Sequence, residues 1–194
     1  VALIHRDDPA HIATVNATPS VSDAYLSGWK TVLVGGLGKG GKSLYALDIT
    51  NPESFTSDKV MWEFSDSGMG YVFGQPQIAA TSATQWAAIT GNGYDSGAGA
   101  ILYSVNLSTA NGTSVTASAT AANGLSTPYL FDTDSNGIVD LAYAGDLLGN
   151  VWKFVNSSGT WSLGNGGSPL FTAQSNQAIT SSPYVRLVNG KRMV

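Results

Sequence analysis

The stretch Lys30-Thr31-Val32-Leu33-Val34-Gly35, followed by a glycine-rich turn and then by Leu44-Tyr45-Ala46-Leu47-Asp48, sets a pattern that recurs along the chain. The first segment is an apolar run that ends in glycine, and the second has an aromatic side chain at its second position. Equivalent pairs of segments are Trp86 to Gly91 with Leu102 to Asn106, and Leu141 to Gly145 with Val151 to Val155. Short apolar or alternating runs separated by glycine-rich turns predict β-strands.

A proline lies upstream of each pair of segments, and a further proline follows the last pair. The four are Pro19, Pro76, Pro128 and Pro183, which gives a period of roughly 55 residues. Proline suits the start of a strand, where its missing N–H breaks no bond of the ladder. Two units add a fourth short strand, around Trp62 and Trp161.

Four strands in each unit of this length are typical of a β-propeller blade, because one such sheet must stack on its neighbours to bury both apolar faces. We therefore predict an all-β chain with three four-stranded blades and the start of a fourth, as a fragment of a larger propeller. The predicted blades cover about 12–66, 70–122 and 124–164, and the start of the next covers 178–194. Residues 107–125 are predicted as a mobile insertion or a weak outer strand. An unrelated β-sandwich is the alternative.

The amino-acid composition excludes several classes of function. The net charge of the 194 residues is -4 and only 11% are charged, against about 25% in typical soluble domains, so no nucleic-acid footprint is visible. The chain has no cysteine, which excludes disulfides and thiolate chemistry. No apolar run reaches the roughly 18 residues of a membrane span. The chain starts without Met and ends at Val194, so we expect a piece of a longer protein.

The segment Asp132-Thr133-Asp134-Ser135-Asn136-Gly137-Ile138-Val139-Asp140 matches the D-x-[DN]-x-[DN]-G pattern of a calcium loop. Calcium takes six to eight oxygen ligands, and a glycine at the sixth position permits the sharp turn round the ion. The predicted Ca²⁺ ligands are the side chains of Asp132, Asp134, Asn136 and Asp140 and the backbone carbonyl of Ile138.

This loop departs from an EF-hand at the twelfth position, which is Tyr143 rather than a bidentate glutamate. It therefore closes early, at Asp140, and strands rather than helices are expected on both sides. The alternative is a solvated turn, because Asp and Asn favour turns in any case.

Two other patterns carry less weight. Gly36 to Ser43 satisfies the phosphate-loop pattern G-x-x-x-x-G-K-[ST], but the residues that follow predict a strand instead of the required helix. His5, Asp7, Asp8 and His11 lack the spacing of a metal motif. We predict no catalytic residue and no further cofactor site.

Several segments in combination resemble a known family: Gly28 to Gly36, Ser43 to Ile49, Met69 to Pro76, Gly91 to Tyr94, the calcium loop, and Tyr143 to Phe154. Their order resembles the C-terminal propeller domain of the PilY-type proteins, the tip-associated adhesins and biogenesis factors of bacterial type IV pili. The resemblance runs over most of residues 12–156.

The resemblance implies a distorted propeller of about seven blades with calcium at Asp132, Asp134, Asn136, the Ile138 carbonyl and Asp140. It further implies that calcium occupancy governs whether pili extend or retract, and that the protein acts in surface attachment. Minor pilin proteins are the implied partners, and a surface or host receptor stays open. The implied location is extracellular, at the pilus tip or the outer-membrane surface, and the implied role is not enzymatic.

Two alternatives remain at this point. Quinone-dependent dehydrogenases are also calcium-containing propellers with repeated glycine and aromatic positions, although their calcium lies at the cofactor in the central channel. An integrin-like adhesion propeller would use the same loop for purely structural calcium. Under the leading hypothesis, calcium locks strand against strand within one blade.

Overall fold

The computed structural model describes residues 13–189 and 191–194, in which the strands form four antiparallel sheets. The first sheet is a four-stranded meander of β1 (Ser20–Tyr25), β2 (Trp29–Gly36), β3 (Leu44–Asp48) and β4 (Val60–Phe64). The second consists of β5 (Gln77–Ser82), β6 (Gln85–Gly91), β7 (Ala100–Asn106) and β8 (Gly112–Ser118). These sheets are referred to as blade one and blade two.

Blade three consists of β9 (Tyr129–Phe131), β10 (Leu141–Gly145), β11 (Asn150–Ser157) and β12 (Thr160–Leu163). A two-residue strand, β13 (Phe171–Thr172), pairs with the beginning of β11. The last sheet is the hairpin of β14 (Arg186–Val188) and β15 (Lys191–Met193). The predicted fold class, all-β with propeller blades, is confirmed.

Residues 107–125 contain β8, the outer strand of blade two. Of the two expectations for this segment, the outer strand is therefore the one observed. His5, Asp7, Asp8 and His11 lie outside the described residues, as does residue 12, where the first blade was predicted to begin.

The core lies between blades, and the two-residue period of each strand decides which neighbour a side chain meets. Strand β7 shows this alternation. Tyr103 and Val105 belong to the core cluster that contains Val32 and Leu44 of blade one, whereas Leu102 belongs to the cluster that contains Phe154 of blade three. Because both faces of blade two are covered, its central strands are buried along almost their whole length.

The glycines that end β2, β6 and β10 mark where the chain entering the next blade crosses the strand. A Cβ atom at Gly36 would lie 2.4 Å from the carbonyl oxygen of Val72, and one at Gly91 would lie 2.2 Å from that of Leu125. At Gly145 it would lie 2.2 Å from the Ile179 side chain. The repeated glycine therefore allows backbones of consecutive blades to touch, which no other residue type permits.

A buried polar residue follows the glycine in blades two and three. In blade two it is Asn92, whose Oδ1 accepts hydrogen bonds from the backbone N–H groups of Ile101 and Leu125, at 3.1 and 2.8 Å. Its Nδ2 donates to the carbonyls of Gly68 and Gly99, at 3.0 and 2.9 Å. One amide side chain thus ties the turn of blade two to the linkers on both sides of that blade.

In blade three the equivalent residue is Asp146, whose carboxylate is fully buried. Its Oδ1 accepts from the backbone N–H groups of Leu148 and Asn150, at 3.0 and 2.8 Å. Its Oδ2 accepts from Trp152 Nε1 at 2.8 Å and from Asn123 Nδ2 at 3.0 Å. Among the described residues no cation pairs with this carboxylate, so hydrogen bonds hold its charge. Asn123 comes from the linker that enters blade three.

Burial raises the pKa of Asp146, but the hydrogen bonds from Asn150, Trp152 and Asn123 outweigh it and hold the pKa below its ordinary value. A folded-state pKa below the unfolded-state value means that the carboxylate stabilises the fold above the unfolded pKa, which is about 3.9. That contribution is lost as the pH falls through the folded-state pKa.

We predict that Gly91→Ala lowers the free energy of unfolding by about 3 kcal/mol, because the backbone carbonyls of Leu125 and Ser126 cannot move away from the added methyl group. Urea unfolding followed by tryptophan fluorescence measures the change. The matched control is Gly97→Ala, where no atom lies within 4 Å and a φ of +71° is the only cost, about 1 kcal/mol. Equal effects at the two positions would contradict the crossing of backbones at Gly91.

Asp146→Asn replaces a buried acceptor by an amide whose N–H groups face the donors of Trp152 and Asn123. We expect a loss of about 3 kcal/mol in the free energy of unfolding at pH 7. The difference from the unmodified protein should shrink as the pH falls below about 4, because the Asp146 carboxylate of the unfolded chain takes up a proton at a higher pH than that of the folded protein. Asp95→Asn, at a side chain that is 77% exposed, should be neutral, and a pH-independent loss in Asp146→Asn would contradict this account.

Candidate metal centre

The acidic loop, residues 132–140, connects the edge strand β9 of blade three to its neighbour β10. Its tip is exposed, whereas Asp132 and Asp140 at its two ends are half-buried. The backbone N–H of Asp140 donates to the carbonyl of Phe131 at 3.1 Å, which closes the base of the loop. The flanking elements are strands, as the sequence predicts.

Three carboxylates meet inside this loop. Asp132, Asp134 and Asp140 each offer an oxygen, and the three oxygens lie within 4.8 Å of one another. Two oxygens that bind the same Ca²⁺ at 2.3–2.6 Å are at most about 5.2 Å apart. The separation of the three side chains therefore fits a single ion of this size without a change in the course of the backbone.

Asp132 organises the first half of the loop. Its Oδ1 accepts from the backbone N–H of Ser135 at 2.8 Å and its Oδ2 from that of Gly137 at 2.7 Å. Partial desolvation raises the pKa of Asp132, but the N–H groups of Gly137, Ser135 and Asp134 outweigh it, so that the pKa is lowered. Asp132 is therefore ionised at neutral pH, as a metal ligand must be.

The second half of the loop is held by the other polar side chains. Asn136 Nδ2 donates to Asp134 Oδ2 at 3.0 Å, and Asn136 Oδ1 accepts from the backbone N–H of Ile138 at 2.7 Å. The backbone N–H of Thr133 donates to Asp140 Oδ2 at 2.7 Å, and the Thr133 hydroxyl donates to the same oxygen. Asn136 and the Ile138 carbonyl stay predicted ligands beside the three clustered carboxylates.

Two residues give the loop its sharp turn. Ser135 and Gly137 have φ angles of +62° and +86°, in the left-handed region. Glycine adopts this conformation without steric cost, and a Cβ at Gly137 would meet no atom within 4 Å. Glycine is therefore needed at position 137 for its backbone conformation and not for lack of space, as the sequence pattern implies.

The loop also contacts blade two. The backbone N–H of Val139 donates to the carbonyl of Ala80 in β5 at 3.0 Å. Asn156 Nδ2, from β11, donates to the carbonyls of Thr81 and Val139 at 2.8 and 2.6 Å. The backbone N–H of Asn156 donates to the Asp140 carbonyl at 2.7 Å. The loop thus links two blades and not only the strands of one blade.

Sequence reasoning did not single out Ala80, Thr81 or Asn156. Ala80 and Thr81 act through backbone carbonyls, which any residue could supply. The sequence around Asn156 gives no sign of this contact, because its partner Thr81 is far away in the chain. Tyr143, the twelfth residue counted from Asp132, is buried in β10 with Leu141 and Val185, so its ring lies in the core.

The phosphate-loop pattern has a different structural role. Gly36 to Ser43 forms the connection from β2 to β3, and strand β3 begins directly after it at Leu44. The ammonium group of Lys42 lies 3.5 Å from a carboxylate oxygen of Asp95 and 4.9 Å from the centre of the Tyr71 ring. The pattern contains one turn of 3-10 helix, Gly38–Gly40, but a strand and not the α-helix of a phosphate site follows it.

A family described as the PilY1 beta-propeller domain matches residues 8–192 of the chain. The chain belongs to this family. It is 47% identical, over 75% of its length, to the type IV pilus biogenesis factor PilY1 of Pseudomonas aeruginosa strain UCBPP-PA14. It is 42% identical, over 86% of its length, to a PilY1 homolog of Xylella fastidiosa strain Temecula1.

The crystal structure of the Pseudomonas aeruginosa PilY1 C-terminal domain superposes with a TM-score of 0.78 at 34% sequence identity. The superposition covers 89% of this chain and 41% of the crystallised chain. The chain spans only 13% of the length of each of the two PilY1 relatives named above. The described residues include no helix that is long and apolar enough to cross a membrane.

We predict that two substitutions in the loop have different effects on the thermal stability of the metal-free protein. Asp134→Asn removes one of three clustered charges from an exposed side chain, so it should keep or slightly raise the thermal midpoint in chelator, because like charges repel. Asp140→Ala removes the acceptor of the two Thr133 hydrogen bonds and should lower the midpoint. Thermal unfolding in EDTA, followed by circular dichroism, compares the two variants. A larger fall of the thermal midpoint in Asp134→Asn than in Asp140→Ala would contradict the roles given to these two carboxylates.

Proposed function

We propose that this chain is a calcium-binding propeller module of a type IV pilus biogenesis factor, and that calcium occupancy regulates pilus extension against retraction and surface attachment. The observation that carries the proposal is the meeting of Asp132, Asp134 and Asp140 within 4.8 Å, in a chain whose relatives are named type IV pilus biogenesis factors. An oxygen-only ligand set in a flexible loop favours Ca²⁺ over the smaller Mg²⁺.

The carboxylates of Asp132, Asp134 and Asp140, which already lie close together, would bind the ion. Bound calcium would supply positive charge that relieves the repulsion between them. The ordered loop would in turn stabilise two hydrogen bonds at its end. In the first the Asp140 carbonyl accepts from Asn156, and in the second Val139 donates to Ala80 of blade two. Binding at a hundredfold excess over the dissociation constant would stabilise the fold by about 2.7 kcal/mol.

The proposed partners are pilus proteins, in particular minor pilins, together with a surface or host receptor. The proposed location is extracellular, at the pilus tip or the outer-membrane surface. A calcium-ordered face shared by blades two and three would present one conformation to such a partner, whereas the calcium-free loop would present several.

The names of the PilY1 relatives describe a role in pilus biogenesis, which supports the proposal of a non-enzymatic role for this chain. Two alternatives have distinct signatures. A quinone-dependent dehydrogenase would show the absorbance of a bound quinone cofactor in the purified protein. An adhesion propeller with purely structural calcium would bind its partner equally well with calcium and after calcium removal from the folded protein.

We predict one saturable calcium site in calorimetric titration of the chelator-stripped full-length protein, and loss of that site in Asp132→Ala/Asp140→Ala. Asp134→Asn should weaken binding roughly tenfold or more, because it removes one charged ligand. The matched control is Asp58→Asn, a carboxylate that is 69% exposed in blade one, which should bind as the unmodified protein does. Absence of binding in the unmodified protein would end the calcium proposal.

The regulatory part is tested in cells. Bacteria that carry Asp134→Asn should lose the calcium dependence of surface pili and of twitching motility, while the amount of the variant protein stays normal. Asp58→Asn should leave both unchanged. Suppose that the unmodified protein binds calcium, that Asp134→Asn binds it more weakly, and that motility of the Asp134→Asn bacteria is nevertheless unchanged. This result would retain the metal site and reject its regulatory role.

A further inference from the structure

The tip of the acidic loop contains an asparagine followed by a glycine, Asn136 and Gly137, and both residues are exposed. The backbone nitrogen of a residue that follows asparagine can attack the carbon of the asparagine side-chain amide, because the two groups are held close together and the product is a five-membered ring. Glycine leaves this nitrogen uncrowded, and no atom lies within 4 Å of the place where a Cβ of Gly137 would be. The dipeptide is therefore open to this reaction.

Four further asparagines within the described residues are followed by glycine, and their surroundings differ from those of Asn136. Asn92 and Asn123 are buried, and hydrogen bonds hold both ends of the Asn92 amide. Asn111 and Asn165 are exposed, but they lie outside the acidic loop. Asn136 thus combines exposure with a place in the candidate metal centre, where a bound ion would change its surroundings.

Hydrogen bonds of the metal-free loop restrain the reaction. The backbone N–H of Gly137 donates to Asp132 Oδ2 at 2.7 Å, and Asn136 Nδ2 donates to Asp134 Oδ2 at 3.0 Å. The attacking nitrogen must give up its proton and the amide must release Nδ2, so the reaction breaks both of these bonds. Molecules in which the loop has opened and the bonds are already broken therefore react faster.

Calcium would determine how often the loop opens. Asp132, Asp134 and Asp140 bring three carboxylates within 4.8 Å of one another, and the repulsion between like charges favours an open loop in the absence of an ion. A bound ion would hold Asp132 and Asp134 in place and would also bind Asn136, which is a predicted ligand. The calcium-bound population would therefore be protected from the reaction.

We propose that Asn136 is a site of spontaneous deamidation and that calcium protects it. The protection rests on the proposed function, whereas the reaction itself needs only Asn136, Gly137 and water. The Gly137 nitrogen forms a bond to Cγ of Asn136, the bond from Cγ to Nδ2 breaks, and ammonia leaves with the proton of the Gly137 nitrogen. Water then opens the resulting succinimide ring, and nothing is oxidised or reduced.

Water can open the ring at either of its two carbonyl groups, and the two products affect the loop differently. Breaking the bond from Cγ to the Gly137 nitrogen leaves an aspartate, which still satisfies the D-x-[DN]-x-[DN]-G pattern. Breaking the bond from the backbone carbonyl leaves isoaspartate, whose methylene group becomes part of the backbone. The longer backbone moves Gly137 away from Asp132, so a loop that stays without calcium loses its metal site permanently.

The test follows deamidation in the full-length protein at mildly alkaline pH, in excess EDTA or with calcium at a hundredfold excess over its dissociation constant. Mass spectrometry of proteolytic peptides measures the gain of one mass unit at each asparagine, and chromatography separates isoaspartate from aspartate. Calcium should slow the conversion of Asn136 roughly tenfold or more, because only the small calcium-free population reacts. Asn111, which is exposed outside the loop, is the internal control and should convert equally fast in both samples.

Calorimetric titration of the incubated samples connects the reaction with the metal site. The number of calcium sites per molecule should fall after incubation in EDTA by the fraction of isoaspartate at position 136. After incubation with calcium, followed by removal of the ion, it should be unchanged. The variant Asn136→Asp, which has no amide to lose, should keep most of its calcium binding through the incubation in EDTA.

Different results separate this inference from the proposed function. An Asn136 that stays unchanged in EDTA overturns the inference, and so does conversion at equal rates with and without calcium. If the fresh protein binds calcium in either case, the proposed calcium site stands. A fresh protein that binds no calcium overturns the proposed function and the protection together. An equal loss of calcium sites in Asn136→Asp also overturns the inference, because the loss then has another origin.

Discussion

The close approach of one blade's strand end to the chain entering the next blade is the constraint on which this structure depends. At Gly91 the carbonyl oxygen of Leu125 occupies the place of a side chain, and Gly36 and Gly145 are crossed in the same way. Because the backbones touch there, the apolar faces come close enough to exclude water, and Tyr103 and Leu102 fill the layers on either side of blade two. The buried side chains of Asn92 and Asp146 then satisfy the backbone groups that this crossing removes from solvent.

The stacking of blade three on blade two determines where the candidate metal site lies. Blade three holds the two ends of the acidic loop, but Ala80 and Thr81 of blade two accept hydrogen bonds from Val139 and Asn156. Ordering of the three carboxylates would therefore affect the boundary between two blades as well as the loop itself. Such a boundary is a suitable place for control of a partner surface, because a small change at the loop alters the relation of two rigid sheets.

The sequence predicted the fold well because its signals are periodic and local. Glycine at strand ends, proline near strand starts and alternating apolar residues gave the blades, and the spacing of Asp132, Asp134 and Gly137 gave the loop. Strand β8 stayed ambiguous, since Ser, Thr and Ala occur in loops as readily as in outer strands. The roles of Asn156 and Asp146 were not predicted. Each depends on partners in a neighbouring blade or linker, and a polar residue near a turn is ordinarily expected in solvent.

The most direct test of the central claim is amide hydrogen exchange of the full-length protein with and without calcium. The account predicts that calcium slows exchange at Ser135 and Gly137 in the loop and also at Val139 and Asn156, whose N–H groups bond to Ala80 and Asp140. Slower exchange at the loop together with Val139 would show that metal binding orders the contact between blades two and three, and slower exchange at Asn156 would show that it orders the contact between the loop and β11. Protection confined to the loop tip, or no change on addition of calcium, would contradict the account.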